Sequence, residues 1–401
     1  MSSIDIEIDL LDEDREIVDL SHKFAEEVLR PAGIALDKLV DPADVIAPDS
    51  VLWEVFEKYQ QTGLGALAID TEMDPVRKAR LSCIINEELS WGDVGLAISV
   101  GLCGFHLPWV EQSGDAELIE RFCNPKKPTI GCWALTEPDH GSDTVTLTEA
   151  HFSDPALKAN CTASKDGDDY VIRGQKAAWV SNGSIADMII LFCTLDQSQG
   201  FKGGAIFLVP SDLPGVVRPK PLDKLGQRSL NQGEIYFEDV RVPERYMILG
   251  PELYNIGLET MLGHANAAMG QLFVGLAQAA YDHALAYTKE RVQGGVTIFE
   301  HQSVKSRLFD MFRKTEAARS LARRIAVYNA RTGMPKVEYS IASKTLSTNT
   351  AFEVASTGLQ LFGGNGLSRE YPIEKILRDA RASMIEDGCN EVLSIVGASR
   401  L

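Results

Sequence analysis

Two acids stand side by side ahead of a glycine near the C-terminus, Glu386-Asp387-Gly388. A carboxylate becomes a useful general base when burial beside apolar groups lifts its pKa toward neutrality. A third acid, Asp93, sits in Trp91-Gly-Asp-Val-Gly95, at the end of a helical pattern. Upstream of the acid pair, Gly363, Gly364 and Gly366 cluster behind another helix, which lets backbone N–H groups come close to a ligand. Each feature also has a plainer reading. Acids at a helix end usually face water, although the helix dipole disfavours them there, and Gly-Asp is a common turn pair.

Positioning these groups takes two helical regions and a β region. Asp14–Arg30 repeats apolar residues at Ile17, Val18, Leu20, Phe24 and Val28, and Pro31 is expected to end it. Val51–Tyr59, Val76–Ala97 and Leu118–Phe122 are further helices, and Asn124-Pro-Lys-Lys-Pro128 is a turn-rich joint. From Thr129 to Pro243 short β-branched runs alternate with turns: Tyr170–Arg173, Met188–Thr194, Ala205–Val209 and Glu234–Phe237. That texture predicts a compact antiparallel β domain. Ala267–Val292, Phe299–Thr332 and Val337–Leu361 then read as long helices with short joints. A last helix runs from Pro372 through Ile373, Ile376, Leu377 and Ala380 and is expected to stop at Glu386-Asp387-Gly388. Helical periodicity sets the side chains of Glu386 and Asp387 about 100° apart. The fold class expected is α+β: an all-α domain over 1–128, a middle antiparallel β domain over 129–243, and a four-helix bundle domain over 244–401.

Composition narrows the function classes. A chain of 401 residues can bury more than one core. It is 45% hydrophobic and 24% charged, as soluble globular proteins are. A net charge of −18 and a pI of about 4.9 argue against nucleic acid as a partner. The seven cysteines are scattered without a C-x-x-C pair, which points to a reducing compartment and away from a disulfide framework or a metal site. No apolar run is long enough to span a bilayer. The acidic start is neither a signal nor a transit peptide, so a cytoplasmic protein is expected.

Eight motifs, in order, carry a resemblance to a known family. They are Leu135-Thr-Glu-Pro-Asp-His-Gly-Ser-Asp143, Trp179-Val-Ser-Asn-Gly183, Gly226-Gln-Arg228 and Phe237-Glu-Asp-Val-Arg-Val-Pro243. Val274-Gly-Leu-Ala-Gln278, Glu300-His-Gln302, Gln360-Leu-Phe-Gly-Gly-Asn-Gly366 and Tyr371-Pro-Ile-Glu-Lys-Ile-Leu-Arg-Asp-Ala380 complete the set. Over nearly its whole length the chain resembles the acyl-CoA dehydrogenases. The resemblance implies an α–β–α architecture, an acyl-CoA substrate, FAD as cofactor, electron-transfer flavoprotein as acceptor, and a homotetramer. It also implies a reaction in which a carboxylate removes the α-proton of the thioester while the β-hydrogen leaves as hydride, giving an enoyl-CoA.

The same resemblance assigns residues. Thr136 (through its backbone), Ser142, Trp179 and Ser181 would lie along the flavin. Arg291 would reach the FAD pyrophosphate of a neighbouring subunit, with Gln302 as a second contact across that interface. Gln360 and Gly364 would contribute adenosine and pyrophosphate contacts from the other side. Asp387 falls where many members have the catalytic glutamate, one methylene shorter, and Glu386 falls on a pocket-lining position. Some members acting on cyclic acyl-CoAs use an acid from the region of Asp93, so Asp387, Glu386 and Asp93 are the candidate bases, in that order of preference. Two more departures stand out. Asn266 replaces a common arginine that positions the base loop, and Gly294 replaces a common aromatic after Arg291. The shorter acid and the missing arginine together imply a site re-worked as a unit. Alternatives to the ordinary reaction are therefore a cyclic or atypical acyl-CoA with Asp93 as base, or a redox-neutral flavoprotein that binds acyl-CoA without oxidising it.

Overall fold

The computed structural model describes residues 10–69, 72–123 and 128–401. The acidic start of the chain and residues 124–127 of the expected joint lie outside them. Helix α1 (Asp12–Phe24) continues through a π-helical turn, Ala25–Leu29, into α2 (Arg30–Asp37). Pro31 therefore does not end the helix. The wider turn before it gives the ring room and tolerates the missing N–H. In α3 (Val51–Thr62) the Ser50 hydroxyl caps the helix by accepting from Leu52 N at 3.2 Å, and α4 (Leu64–Ile69) follows. The single helix expected over Val76–Ala97 is two, α5 (Pro75–Gly92) and α6 (Val94–Gly101). Asp93 between them is extended and caps α6 by accepting from Leu96 N at 2.9 Å. Helices α7 (Leu107–Ser113) and α8 (Ala116–Phe122) lead to the sheet.

Eight strands form that sheet: β1 (Gly131–Ala134), β2 (Thr162–Asp166), β3 (Asp169–Ser181), β4 (Met188–Thr194), β5 (Gly204–Pro210), β6 (Val216–Val217), β7 (Gln232–Pro243) and β8 (Met247–Leu249). Their order is β6-β7-β3-β2-β4-β5-β8, with β1 beside β4. The sheet is mixed rather than antiparallel throughout, because β1 and β2 both meet β4 in parallel. The last strand lies beyond Pro243 and pairs with β5. Strands β4 and β5 are buried at every position, so Met188–Thr194 carries an unbroken apolar run instead of an alternation.

Helices α9 (Pro251–Glu290), α10 (Gln302–Thr332), α11 (Val337–Phe362) and α12 (Pro372–Ser383) pack as a four-helix bundle, and α13 (Asn390–Ala398) docks on α11. Helix α9 also packs on α5, so the first helices and the bundle share one core, from Val18 and Leu89 to Phe273 and Ala355. A tight hairpin, β9 (Val292–Gln293) and β10 (Val296–Thr297), joins α9 to α10. It turns on Gly294 and Gly295, with φ of 73° and 84°, and a side chain at Gly294 would strain that turn. Among the described residues, no helix is long and apolar enough to cross a membrane, and no cluster of three His, Cys, Asp or Glu side chains could hold a metal ion.

Two buried polar contacts anchor β3, one to the helices and one to the stretch after β1. Asn182 accepts from Ser99 Oγ at 2.7 Å and donates to Ser99 O at 2.9 Å, tying the end of β3 to α6. Lys176 of β3 pairs with Glu137 at 2.6 Å and donates to Leu135 O at 3.0 Å, with both charged groups fully buried. Glu137 also accepts from the backbone N–H groups of Asn160 and Cys161. This pair fixes the stretch that carries Thr136. Removing one partner strands a buried charge, so Glu137→Leu is expected to destabilise the fold by about 3–5 kcal/mol. Urea denaturation would read this as a lowered midpoint, and adding Lys176→Met is expected to recover part of the loss.

Candidate active site

Helix α12 carries the acid pair, and charges fix its position. Lys375 Nζ donates to Asp93 Oδ2 and to Asp379 Oδ2, each at 2.6 Å. One turn later Arg378 forks onto Asp37 at 2.9 and 2.7 Å and pairs with Glu374. Gly226 packs directly on this helix, where a Cβ would come within 2.3 Å of Arg378 O. The helix stops at Ser383 rather than at Glu386, and residues 384–387 form a turn. Asp387 is left-handed at φ 50° and Gly388 follows at φ 94°. The separation of the two acid side chains is therefore set by a turn and not by helical periodicity. Three side chains from three elements hold the turn's backbone. Asn266 of α9 donates to Asp387 O at 3.4 Å, Lys344 of α11 donates to Gly388 O at 2.8 Å, and Ser142 Oγ accepts from Cys389 N at 2.9 Å.

The three candidate acids have different surroundings. Asp93 is buried with both oxygens engaged: Oδ1 accepts from Leu96 N and from Ser229 Oγ at 2.6 Å, and Oδ2 accepts from Lys375. The cavity beside it, lined by Trp91, His283, Lys375 and Asp379, is about 30 Å³, space for water and not for an acyl chain. Glu386 accepts from Gln227 Nε2 at 3.0 Å. Burial pushes its carboxyl up to about 7 against the pull of nearby Lys224. Lys224 itself donates to Leu230 O and to Gln232 Oε1, each at 2.8 Å, and burial pushes it down to about 8. Asp387 is different again. Its carboxylate meets no donor among the described residues and keeps an exposed surface. Burial by the surrounding protein nevertheless raises its carboxyl, with Lys344 acting in the opposite direction. Depth and open surface coincide where a side chain borders a cleft.

Of the residues expected along a flavin, Ser142 holds the acid turn and Ser181 reaches the surroundings of Glu386 through Gln232. Trp179 leaves 57% of its surface exposed on the bulged stretch of β3, an uncovered indole face suited to a flat aromatic ring. Thr136 O accepts from Ala177 N at 2.8 Å, while the Thr136 N–H donates to nothing among the described residues. Ser142 accepts from Cys389 N and Ser181 accepts from Gln232 Nε2 at 3.0 Å, so each hydroxyl keeps its own hydrogen to give. Gln232 in turn binds Lys224, which links Ser181 to the surroundings of Glu386. One aromatic face and three free donors fit an isoalloxazine.

The second expected set lies at the ends of the bundle helices. Arg291 is exposed at the end of α9, its guanidinium without a partner among the described residues, and Gln302 is exposed at the start of α10. Gln360 lines an open groove of about 480 Å³ with Ser306, Arg307, Asp310, Ser356 and Thr357. Gly364 faces open space. Two guanidinium groups beside polar side chains fit the pyrophosphate and adenosine parts of FAD. Tyr287 stacks on Phe362 with ring centroids 4.0 Å apart, and Asn365 donates to Tyr287 Oη at 3.0 Å, which holds the glycine-rich turn in place.

Residues 132–240 match the description "Acyl-CoA dehydrogenase, middle domain", and residues 257–401 match "Acyl-CoA dehydrogenase, C-terminal domain". The short-chain specific acyl-CoA dehydrogenase of Megasphaera elsdenii is 31% identical, over 99% of this chain and 100% of that one. The mitochondrial short-chain specific enzyme of Rattus norvegicus is 31% identical, over 94% of this chain and 87% of that one. The chain belongs to the acyl-CoA dehydrogenase family. The solved butyryl-CoA dehydrogenase of Megasphaera elsdenii has the same fold, with a TM-score of 0.82, 28% identity, and coverage of 98% of this chain and 99% of that one. As an acyl-CoA dehydrogenase, this chain is an oxidoreductase acting on acyl-CoA.

Some residues of this acyl-CoA dehydrogenase site carry no assignment from sequence alone. Lys375 and Gln227 stand inside quoted motifs, yet their partners Asp93 and Glu386 are distant in the chain. Lys344 falls on the buried stripe of α11 with Ile341, Thr348 and Ala351, and a lysine at helical spacing among core residues was the available signal. The Glu386 surroundings make a pH prediction. Its folded pKa of about 7 exceeds its ordinary value of 4.5, so the folded chain holds this proton more tightly than the unfolded chain. That contribution is full below pH 4.5 and is lost as pH rises through about 7. Urea denaturation at stepped pH is expected to show a shallower loss of stability across this window in Glu386→Gln than in the wild type.

Proposed function

We propose that this chain is an FAD-dependent dehydrogenase of short acyl-CoA thioesters, with Asp387 as the base that takes the α-proton. One observation carries the assignment of the base: of the three candidate acids, Asp387 alone has both carboxylate oxygens free of any donor among the described residues, on an exposed side chain. Its own backbone N–H also donates to nothing among the described residues, and is available to the thioester oxygen where charge builds as the proton leaves. Burial helps by keeping the carboxylate basic enough to accept that proton. FAD, when bound, supplies the acceptor for the hydride lost from the β-carbon. Thr136, Ser142, Trp179 and Ser181 hold its ring system, and Arg291, Gln302, Gln360 and Gly364 hold its remaining parts across a subunit boundary.

The names of the relatives support a short acyl chain, and so does the end of α5. There the resemblance puts the pocket floor, and the Lys375 ion pairs leave only a water-sized cavity. A homotetramer is supported by Phe309, 65% exposed, and by the exposed Phe312 and Leu346, apolar side chains on α10 and α11 that one chain leaves uncovered. Electron-transfer flavoprotein is the acceptor that family membership implies, and a cytoplasmic location is part of the same reading. The cyclic-substrate alternative needs Asp93, whose oxygens are already taken.

Anaerobic flavin bleaching by butyryl-CoA tests the base. Asp387→Asn is expected to bind FAD and acyl-CoA as the wild type does while bleaching slows by several orders of magnitude. Bleaching at the wild-type rate would overturn the assignment. Arg291→Ala is expected to lose FAD and tetramer together, read by absorbance after gel filtration and by light scattering. Retention of both would place the pyrophosphate elsewhere.

A further inference from the structure

Lys344 is a buried cation that the reading above does not use. Its side chain has no solvent exposure. Its ammonium meets only neutral oxygens, Gly388 O and Asn390 Oδ1, each at 2.8 Å. No carboxylate lies within ion-pair distance of it among the described residues. The neutral acceptor is itself held in place, because Asn390 Nδ2 donates to Thr348 Oγ1 at 2.9 Å and to Asn349 Oδ1 at 3.0 Å. That arrangement keeps the Asn390 oxygen turned toward the lysine. Burying an ammonium without a charged partner costs several kcal/mol. A methionine would fill the space and a hydroxyl would satisfy the carbonyl, so packing alone does not account for a lysine here.

The charged groups around Lys344 are few. Asp387, Glu386, Cys389 and Glu391 face it from the turn and from α13, and Asp387 acts on it most strongly. Helix α9 contributes only neutral Asn266 at the turn. Glu386 is already partnered by Gln227 and shares the influence of Lys224. For Asp387, Lys344 is the one cation that counts.

We propose that Lys344 is a positioning residue for proton abstraction: it pins the left-handed turn through Gly388 O and supplies the unneutralised positive charge that keeps Asp387 ionised. This rests on Asp387 being the base. Burial drives the Asp387 carboxyl up, toward the protonated form that has no capacity to accept the α-proton. The lysine limits that rise. It is itself pushed down to about 8 by burial, so it is still mostly charged at neutral pH.

Two variants test the idea on the holoenzyme. Lys344→Met removes the charge and keeps the volume. Asn390→Asp leaves the lysine in place and neutralises it with an adjacent carboxylate. Both are expected to move the acid limb of the pH–rate profile for anaerobic bleaching upward by about one pH unit, a fall of about tenfold in rate on that limb. Lys344→Arg is expected to return the limb toward its wild-type position. Calorimetric binding of a redox-inert acyl-CoA analogue in buffers of different ionisation enthalpy supplies a readout that needs no turnover. The proton exchange that accompanies binding is expected to shift upward in pH by the same amount. If Lys344→Met does not fold, Asn390→Asp alone decides. An unshifted acid limb in a folded, FAD-loaded variant overturns the role of Lys344. Asp387→Asn separates the two failures: a silent Asp387→Asn with an unmoved limb in the lysine variants sinks only this inference, whereas an active Asp387→Asn sinks the base itself.

Discussion

The buried ammonium of Lys375 joins the parts of this structure. Its two carboxylate partners belong to different regions, Asp93 to the joint between α5 and α6 and Asp379 to its own helix. Asp379 also accepts from Gln227 N, and Gln227 Nε2 donates to Asp379 O at 3.3 Å, which brings in the segment before β7. One cation thus locks α12 to the first helices, and Asp379 locks it to the β region. A lysine with two buried acids carries a net negative charge in a low-dielectric interior, and such a cluster persists only when every oxygen is satisfied. Leu96 N, Ser229 Oγ and Gln227 N meet that requirement. The acid turn begins directly after α12, so its placement inherits the placement of Lys375.

Two adjacent carboxylates at the end of that helix are driven into different roles by their neighbours. Glu386 is gripped by Gln227 and sits in the field of Lys224, a group that also holds Gln232 and through it Ser181. Asp387 is turned away by its left-handed backbone and left free. Burial raises both carboxyls, and what distinguishes the two is hydrogen bonding rather than distance.

Much of the fold is legible in the sequence, and what is not has definite causes. The run Met188–Thr194 is read correctly because burial at every position writes itself into uninterrupted apolar sequence, and the long helices of the bundle are read from their length and short joints. The break at Asp93 is invisible to periodicity, since apolar residues on both sides continue the pattern and only the capping geometry interrupts it. Pro31 misleads for the opposite reason: the π-helical turn before it absorbs a residue that ordinarily ends a helix. At the site, the residues expected along a flavin and the acid pair are singled out by motifs. The partners that decide among the acids are not, because Asp93 and Lys375 stand 282 positions apart, and Gln227 and Glu386 stand 159 apart. Such pairings come from the packed fold and leave no local spacing to read.

The departures from the family pattern make physical sense as a set. The resemblance puts an arginine where Asn266 stands and a glutamate where Asp387 stands. A neutral amide at 266 still reaches the turn, donating to Asp387 O, but brings no charge to it. A shorter acid keeps its carboxylate closer to the backbone, and hence closer to whatever pins that backbone. With the arginine absent, the positive charge that acts on Asp387 is Lys344, and it holds Gly388 O, one residue from the shortened acid. Shortening the acid and moving its electrostatic support from α9 to α11 are compatible changes. Either one alone would leave the carboxylate at the wrong reach or its charge without support.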